Sequence, residues 1–495
     1  MRLILGGPGT GKTTELLRVV EDELASGVDP KHIAFVAFTR KAAHEARSRA
    51  AERFGFTDDD MPYFRTLHSL AFKQLALEPA EVMADADYRE LGQALGLTFG
   101  HTDDDIGIAV GDDKGSQLAY LDQIARLTLK PLDVTCRERA LQPYWEARLY
   151  CDALAEYKKT RHKQDFTDML TLFTDRAVCP YFKVVIVDEA QDLSPLQWRM
   201  VERITRAAER VYIAGDDDQA IYEWAGADVH KFLTLKGERY VLPVSYRLPQ
   251  VVFDKAQDIV RRISQRYEKQ WAPAGPGGAV HYYGEPEQVD LREGSWLLLA
   301  RNRYMLTDYT AMLQEQGYPY TLHGKSSTDS DVVRALVYWE RLRRGDALTL
   351  EQVRMLYVKV QPQWLKQGAR TMTGASEDTA YTLNDLRTKW GLRAEAAHDW
   401  MAVLQMAQAK REYLRAVLRR KESLLKPPRI TVSTVHQVKG GEADHVLLRT
   451  DMAYSCYREW IRNPDSESRV FYVAATRAKQ ALHVLYARSN KFYEV

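Results

Sequence analysis

Short apolar runs alternate with amphipathic stretches along the first part of the chain, and the runs end in glycine or in acidic residues. "RLILG" reads as a buried strand. A glycine loop follows, and "KTTELLRVVEDELASG" has the apolar spacing of a helix that stops at Gly27. "HIAFVAF" predicts a second buried strand leading into "TRKAAHEARSRAAERF", a strongly cationic helix. After a helical stretch the strand pattern returns in "FKVVIVDEAQD" and "RVYIAGDDDQ", two apolar runs that each end in acids. Groups at the carboxyl ends of parallel strands are the usual ligand positions of open α/β sheets.

A second α/β block is expected from "RYVLPVSYR", a helix, the Pro/Gly loop in "WAPAGPGGAVHYY" and the buried run "SWLLLARN". Strand signals then fade into helical text. Pro427 and Pro428 mark their return in "RITVSTVHQVKGGEADHVLL", and the helix "SRVFYVAATRAK" and the strand "ALHVLYA" follow. The expected fold class is α/β, with two parallel-sheet blocks each interrupted by a helical insertion.

Composition narrows the class. At 495 residues the chain is too long for one core. Hydrophobic residues at 45% and charged residues at 28% exclude disorder. No apolar run reaches the roughly 18 residues of a membrane span, and the first residues are too glycine-rich for a signal peptide. Cys136, Cys151, Cys179 and Cys456 lie far apart, which excludes a zinc ribbon or local iron–sulfur motif and fits a reducing compartment. A net charge of +1 means that any nucleic-acid affinity comes from local patches.

"GGPGTGKT" fits the phosphate-loop pattern from Gly6 to Thr13: Gly6, Gly7, Pro8, Gly9, Thr10, Gly11, Lys12, Thr13. Its glycines turn backbone N–H groups toward an anion, and the following helix N-terminus adds its dipole. Lys12 is expected on the β and γ phosphates and the Thr13 hydroxyl on Mg²⁺. In "VVIVDEAQD" four apolar residues carry Asp188 and Glu189 out of a buried strand end. One carboxylate can hold the metal shell while its neighbour activates water. Phosphoryl transfer also needs positive charge on the transition state, and Arg247 in "VSYRLP" and Arg477 in "VAATRAK" are the candidates.

Together these segments resemble the UvrD/Rep-type superfamily 1 DNA helicases. The signatures "GGPGTGKTT", "AFTRKAAHEARSR", "TLHSLAF", "DFTDML", "VIVDEAQDLSPLQW", "AGDDDQAIYEWAGAD", "LPVSYRLP", "ARNRYMLTDYTAMLQEQGYPY", "STVHQVKGGEADHVLL" and "RVFYVAATRAK" run in order along nearly the whole chain. The resemblance implies two RecA-like lobes, the first from 1–77 and 160–237 and the second from 238–325 and 430–495. Helical accessory insertions would fill 78–159 and 326–429, the latter shortened.

By the same resemblance, ATP and Mg²⁺ are the cofactors. Thr14 belongs to the phosphate loop, Asp188 completes the metal shell with Thr13, and Glu189 is the general base. Gln191 and Gln219 sense the γ-phosphate, Tyr246 stacks on adenine, and Glu442 contacts the ribose. Arg247 and Arg477 are arginine fingers that close when the lobes meet. Single-stranded DNA and its junctions with duplex are the partners, met by Phe38, Thr39, Arg40, His68, Trp224 and His436. The implied activity is 3′→5′ translocation and unwinding in DNA replication, repair or recombination, by a monomer in a bacterial or viral-host cytoplasm.

Departures from the family qualify this reading. Arg40 stands where asparagine is usual, Leu67 where phenylalanine is, and Gly441 and Ala443 flank Glu442 where bulkier apolar residues are typical. The span between "HVLL" and "RVFYV", where relatives carry a strand-separating hairpin, is compact, and Tyr454, Tyr457 and Trp460 are its wedge candidates. The chain ends soon after the Arg477 helix, with no room for a nuclease domain. Only Met1–Leu5 precede Gly6, where relatives carry a glutamine that reads adenine. Base selection is therefore expected to rest on Tyr246 and to admit other purine nucleotides. Alternative activities are a translocase that strips proteins from single strands, a nucleic-acid scaffold switched by nucleotide, or an RNA-acting relative.

Overall fold

The computed structural model describes residues 1–38, 40–102 and 107–495. The chain divides into two compact units, one of Met1–Ala279 with Ser455–Gln480 and one of Val280–Tyr454 with Ala481–Val495. The α/β expectation holds: both units are built on mostly parallel sheets flanked by helices.

In the first unit the apolar run Val184–Asp188 is buried at all five positions, as a central parallel strand requires. It lies in a six-stranded sheet ordered Phe64–Thr66, Ile33–Ala37, Val184–Asp188, Arg210–Gly215, Arg2–Leu5, Glu238–Val241. Every pairing is parallel; Val185 faces Ala34 on one side and Val211 on the other. The helix Lys12–Ala25 buries Leu16, Leu17, Val19 and Val20 against this sheet. The phosphate loop and the acidic strand ends thereby come to one edge, the carboxyl ends of the strands.

The run expected to open the second block joins the first instead. Glu238–Val241 pairs in parallel with Arg2–Leu5, Arg2 opposite Glu238 and Leu5 opposite Val241. The strand covers what is otherwise an open sheet edge. Leu242 next to it donates its N–H to the Leu5 carbonyl at 2.8 Å and buries its side chain in the first sheet's core. The stretches 238–279 and 455–480, expected in the second lobe, therefore belong to the unit that carries Lys12. Helix Pro464–Ala475 packs on helix Gln250–Val260, and Asp465 accepts hydrogen bonds from the Ser264 and Gln265 N–H groups, both at 2.8 Å.

The helices within 78–159 have their own small core of Met83, Leu91, Leu118, Leu121, Tyr150 and Leu154. Beside it Arg126 ties Asp122, Asp165 and Asp168 together, and Lys158 reaches the latter two.

The second unit's sheet is ordered Lys325–Ser326, Tyr320–Leu322, Ile430–Thr434, Trp296–Ala300, Ala443–Arg449, Ala478–Leu485, Ala279–Tyr283. Its buried centre is Trp296–Ala300, parallel to strands on both sides. One apolar core runs from Leu298 and Val432 of this sheet into Trp339, Leu356, Tyr357 and Leu414 of the helices between residues 326 and 429. No helix among the described residues is long and apolar enough to cross a membrane.

Candidate active site

The strand Arg2–Leu5 delivers the chain to a loop that turns through left-handed backbone at Gly9 (φ 72°) and Gly11 (φ 81°) before the helix begins at Lys12. Two of its glycines are sterically required. A methyl on Gly9 would lie 2.3 Å from Arg247 Cβ, and one on Gly7 would lie 2.4 Å from Trp271 Cε2. The Lys12 ammonium folds over the loop and donates to the Gly6 carbonyl at 2.9 Å and the Gly7 carbonyl at 3.4 Å.

Across the loop the Thr13 hydroxyl donates to Asp188 Oδ2 at 3.1 Å, and the Glu189 N–H donates to Asp188 Oδ1 at 2.9 Å. Burial, and after it the neighbouring Glu189 carboxylate, push the Asp188 carboxyl well above the ordinary carboxylate range. A hydroxyl and a carboxylate in contact are hard oxygen donors of the kind that a divalent cation takes, and a cation there would reverse the Asp188 shift. Glu189 itself has left-handed backbone (φ 54°), a strained conformation for a residue with a side chain.

A hydrogen-bonded path leads away from Glu189. Gln191 Nε2 donates to Glu189 Oε2 at 2.5 Å, and Gln191 Oε1 accepts the Asp216 N–H at 3.0 Å. Asp216 Oδ2 accepts from Gln219 Nε2 at 2.6 Å, and Gln219 Oε1 accepts from the Arg477 guanidinium at 2.8 Å. Arg477 is buried at 1% exposure and also donates to the Val473 carbonyl and the Thr476 hydroxyl.

Tyr246 and Arg247 sit directly on the phosphate loop. The Ser245 hydroxyl donates to the Pro8 carbonyl at 2.8 Å, the Tyr246 N–H to the Gly9 carbonyl at 2.8 Å, and the Arg247 N–H to the Ser245 hydroxyl at 3.2 Å. The Tyr246 ring is 81% exposed, an open aromatic face beside the loop. Lys12, Thr13, Asp188, Glu189, Gln191, Gln219, Tyr246, Arg247 and Arg477 therefore all lie in the first unit, whereas Glu442 and His436 lie in the second, between the strands Ile430–Thr434 and Ala443–Arg449.

The DNA candidates are scattered more widely. Phe38 is buried with its ring centroid 5.1 Å from that of Tyr222, and the ring of the half-buried Trp224 is 6.5 Å from that of Tyr222. The Trp224 carbonyl accepts from the Tyr120 hydroxyl at 2.6 Å, and the adjacent Glu223 is held by Arg469 and Asn463. Arg40 is exposed at the start of the helix Arg40–Phe54. His68 meets Phe166 edge-on, and burial with the Arg40 charge pushes its pKa down to about 4, so it is uncharged at neutral pH. Thr39 lies outside the described residues. Tyr454, Tyr457 and Trp460 stand on one helix, Tyr454–Arg462, in place of a hairpin, with the rings of Tyr457 and Trp460 5.6 Å apart.

Sequence reasoning missed the segment 264–272. Trp271 lies against Gly7, while Arg266 and Lys269 reach Asp216, Asp217 and Asp218. The one available signal was a tryptophan amid Pro/Gly text with two cations just before it.

The chain matches two families, the UvrD/REP helicase N-terminal domain over residues 1–239 and the UvrD-like helicase C-terminal domain over residues 397–489. It is similar to the ATP-dependent DNA helicases PcrA of Leuconostoc citreum (26% identical over 307 residues, 58% of this chain and 41% of that protein) and Bacillus subtilis strain 168 (26% over 314 residues, 57% and 40%). PcrA of Staphylococcus aureus strain Mu50 is 24% identical over 321 residues, 59% of this chain and 42% of that protein. The match thus spans about two fifths of the length of these relatives. A crystal structure of the arterivirus nonstructural protein 10 helicase aligns over 98% of this chain and 59% of its own, at a TM-score of 0.32 and 13% identity, a likeness too weak to bear on fold or function. The N-terminal and C-terminal domains of the UvrD-like helicases match the two ends of this chain in order, and the similar proteins are ATP-dependent DNA helicases: the chain belongs to the UvrD/Rep-like superfamily 1 helicases.

Proposed function

We propose that the chain is an ATP-driven motor that moves 3′→5′ along single-stranded DNA and unwinds duplex during DNA replication, repair or recombination in the cytoplasm. The observation that carries this is the continuous path from Arg477 through Gln219, Asp216 and Gln191 to Glu189, beside the phosphate loop. The similarity to the PcrA ATP-dependent DNA helicases supports the same reading.

In the proposed reaction, water attacks the γ-phosphorus of ATP, the bond to the β,γ-bridging oxygen breaks, and ADP and phosphate leave. Glu189 takes the water proton, and Lys12, Arg247 and Arg477 stabilise charge on the transferring phosphoryl oxygens. The donor pair Thr13 and Asp188 fits Mg²⁺, which when bound neutralises the β and γ oxygens. The exposed Tyr246 ring stacks on the purine. Gln191 and Gln219 carry the state of the γ-phosphate toward Trp224, five residues beyond Gln219. Trp224, Phe38 and Arg40 hold the strand by stacking and phosphate contact, with Thr39 as a further contact.

The test uses duplexes with 3′ and 5′ tails beside streptavidin displacement, with Glu189→Gln as the control. Unwinding of the 3′-tailed duplex alone, lost in the variant, is expected. DNA-independent hydrolysis, or a Glu189→Gln protein as active as the parent, would sink the motor. One observation favours a second reading: the wedge candidates form a nine-residue helix and no hairpin. Streptavidin displacement without unwinding would establish a protein-stripping translocase.

A further inference from the structure

The loop after the strand Arg210–Gly215 buries three consecutive carboxylates, Asp216, Asp217 and Asp218, none more than 1% exposed. Adjacent acids stay ionised in a dry interior only where cations neutralise them. Lys269, its side chain fully buried, places its ammonium 3.0 Å from Asp216 Oδ1 and 2.9 Å from Asp218 Oδ2, and also contacts Asp217 Oδ1. Burial works against that charge, but the three carboxylates outweigh it and hold the Lys269 pKa above the ordinary lysine range. Arg266 adds a two-pronged contact to Asp218, both arms at 2.8 Å, and the Tyr267 N–H donates to Asp217 Oδ2 at 2.7 Å.

We propose that Lys269 is a positioning residue of the hydrolytic site, acting through Asp216 on Gln219. The role rests on the ATPase reading above. Asp216 divides its carboxylate, Oδ1 facing Lys269 and accepting the Asp218 N–H at 3.3 Å, Oδ2 accepting the Gln219 amide. Gln219 then presents its own oxygen to Arg477, while the Asp216 N–H fixes Gln191 beside Glu189. The place of one carboxylate therefore sets Gln219 and, through it, the contact with Arg477, whereas Gln191 is held by the Asp216 main chain. Without the ammonium, Asp216 faces two buried like charges, and it relieves them by turning or by taking a proton. Either change withdraws the acceptor that aims Gln219.

The same segment continues to the phosphate loop. Trp271 lies against Gly7, the Ala272 N–H donates to the Pro243 carbonyl and the Ser245 N–H to the Ala272 carbonyl, both at 2.8 Å. Residues 266–272 thus hold the Gln219 loop at one end and the phosphate loop at the other. A plain cross-link would stabilise the unit to the same degree, so stability alone does not distinguish the two roles.

A double-mutant cycle does. Lys269→Met, Gln219→Ala and the double variant are compared with the parent in DNA-stimulated hydrolysis. Lys269→Met is expected to lower kcat about 10- to 100-fold, the scale of one misplaced polar group, with KM for ATP within about threefold. Added to Gln219→Ala, it should lower kcat by less than about twofold more, because both changes remove the same contact. Should circular dichroism show Lys269→Met unfolded, Lys269→Arg replaces it in the cycle; it keeps the charge but shifts it, and its kcat loss should likewise vanish beside Gln219→Ala. Multiplicative losses in an active parent overturn the positioning role alone. A parent with no DNA-stimulated hydrolysis overturns the motor reading and this role with it.

Discussion

Gly9→Ala separates the arginine contact from the phosphate loop's other work. The added methyl lies 2.3 Å from Arg247 Cβ, where carbon atoms prefer about 3.5–4.0 Å. Ser245 Oγ at 3.0 Å and the Arg247 backbone nitrogen at 3.2 Å crowd the same point. No rotation of the Arg247 side chain relieves this, because its Cβ moves only with the backbone. The segment 245–247 must therefore withdraw by about 1 Å, straining the Ser245–Pro8 and Tyr246–Gly9 hydrogen bonds. Left-handed backbone adds about 1 kcal/mol of strain at φ 72°, and overpacking adds about 1–3 kcal/mol. The sum, about 2–4 kcal/mol, lowers Tm by roughly 4–8 °C in a unit of this size. A 1 Å displacement of a catalytic group lowers kcat about 100-fold. Steady-state hydrolysis with saturating single-stranded DNA reads kcat, and calorimetry reads Tm. Gly27→Ala is the control: its φ is 87° with nothing within 4 Å of the new methyl, so it isolates strain of about 1 kcal/mol and leaves kcat unchanged. A folded Gly9→Ala protein with kcat within about threefold of the parent would refute the claim that Gly9 seats Arg247.

Two further predictions concern stability. Burial, then the charges of His445 and His281, push the His483 pKa down to about 4 from an ordinary 6.5, so the unfolded chain takes up its proton first as pH falls. Stability from this group is complete above pH 6.5 and is lost as pH falls toward 4, by up to about 3 kcal/mol; His483→Asn should flatten that leg of a urea-unfolding series, and an unchanged slope would contradict the assignment. Arg126→Ala removes a partner from Asp165, which is 1% exposed, and should destabilise the first unit by about 3 kcal/mol even with Lys158 in place; a loss below about 1 kcal/mol in denaturant unfolding would show the pair to be dispensable.

Readable from the residues were the features that local chemistry determines. The Gly-Lys-Thr loop needs only its own glycines and the strand and helix beside it, and Val184–Asp188 announces itself by burying every residue. What could not be read depends on distant partners. "RYVLP" is an apolar run either way, and only the open side of Arg2–Leu5 decides that it belongs to the first sheet. Lys269 in "QRYEKQW" looks like a solvated cation, and its burial is decided by three acids some fifty residues earlier. Arg247 and Arg477 were expected from a separate lobe, because their motifs follow the second block's strands in the text. The packing of Asp465 on Ser264 and of Ser245 on Pro8 places them with Lys12.

That placement bears on how the protein is made. The chain leaves its first unit after Ala279 and returns only at Ser455, bringing Arg469 and Arg477 back to a loop synthesised long before. At about 5–20 residues per second, roughly half a minute to a minute and a half separates Lys12 from Arg477 on the ribosome. For the later part of that interval, once they are made, the Gln219 side-chain oxygen and the Asp217 main-chain oxygen wait for guanidinium groups not yet translated. A nascent chain can thus fold a sheet and a phosphate loop and still lack a finished hydrolytic centre. On the proposed reading, hydrolysis begins only when the motor's last helix has emerged, so half-made motors do not consume ATP.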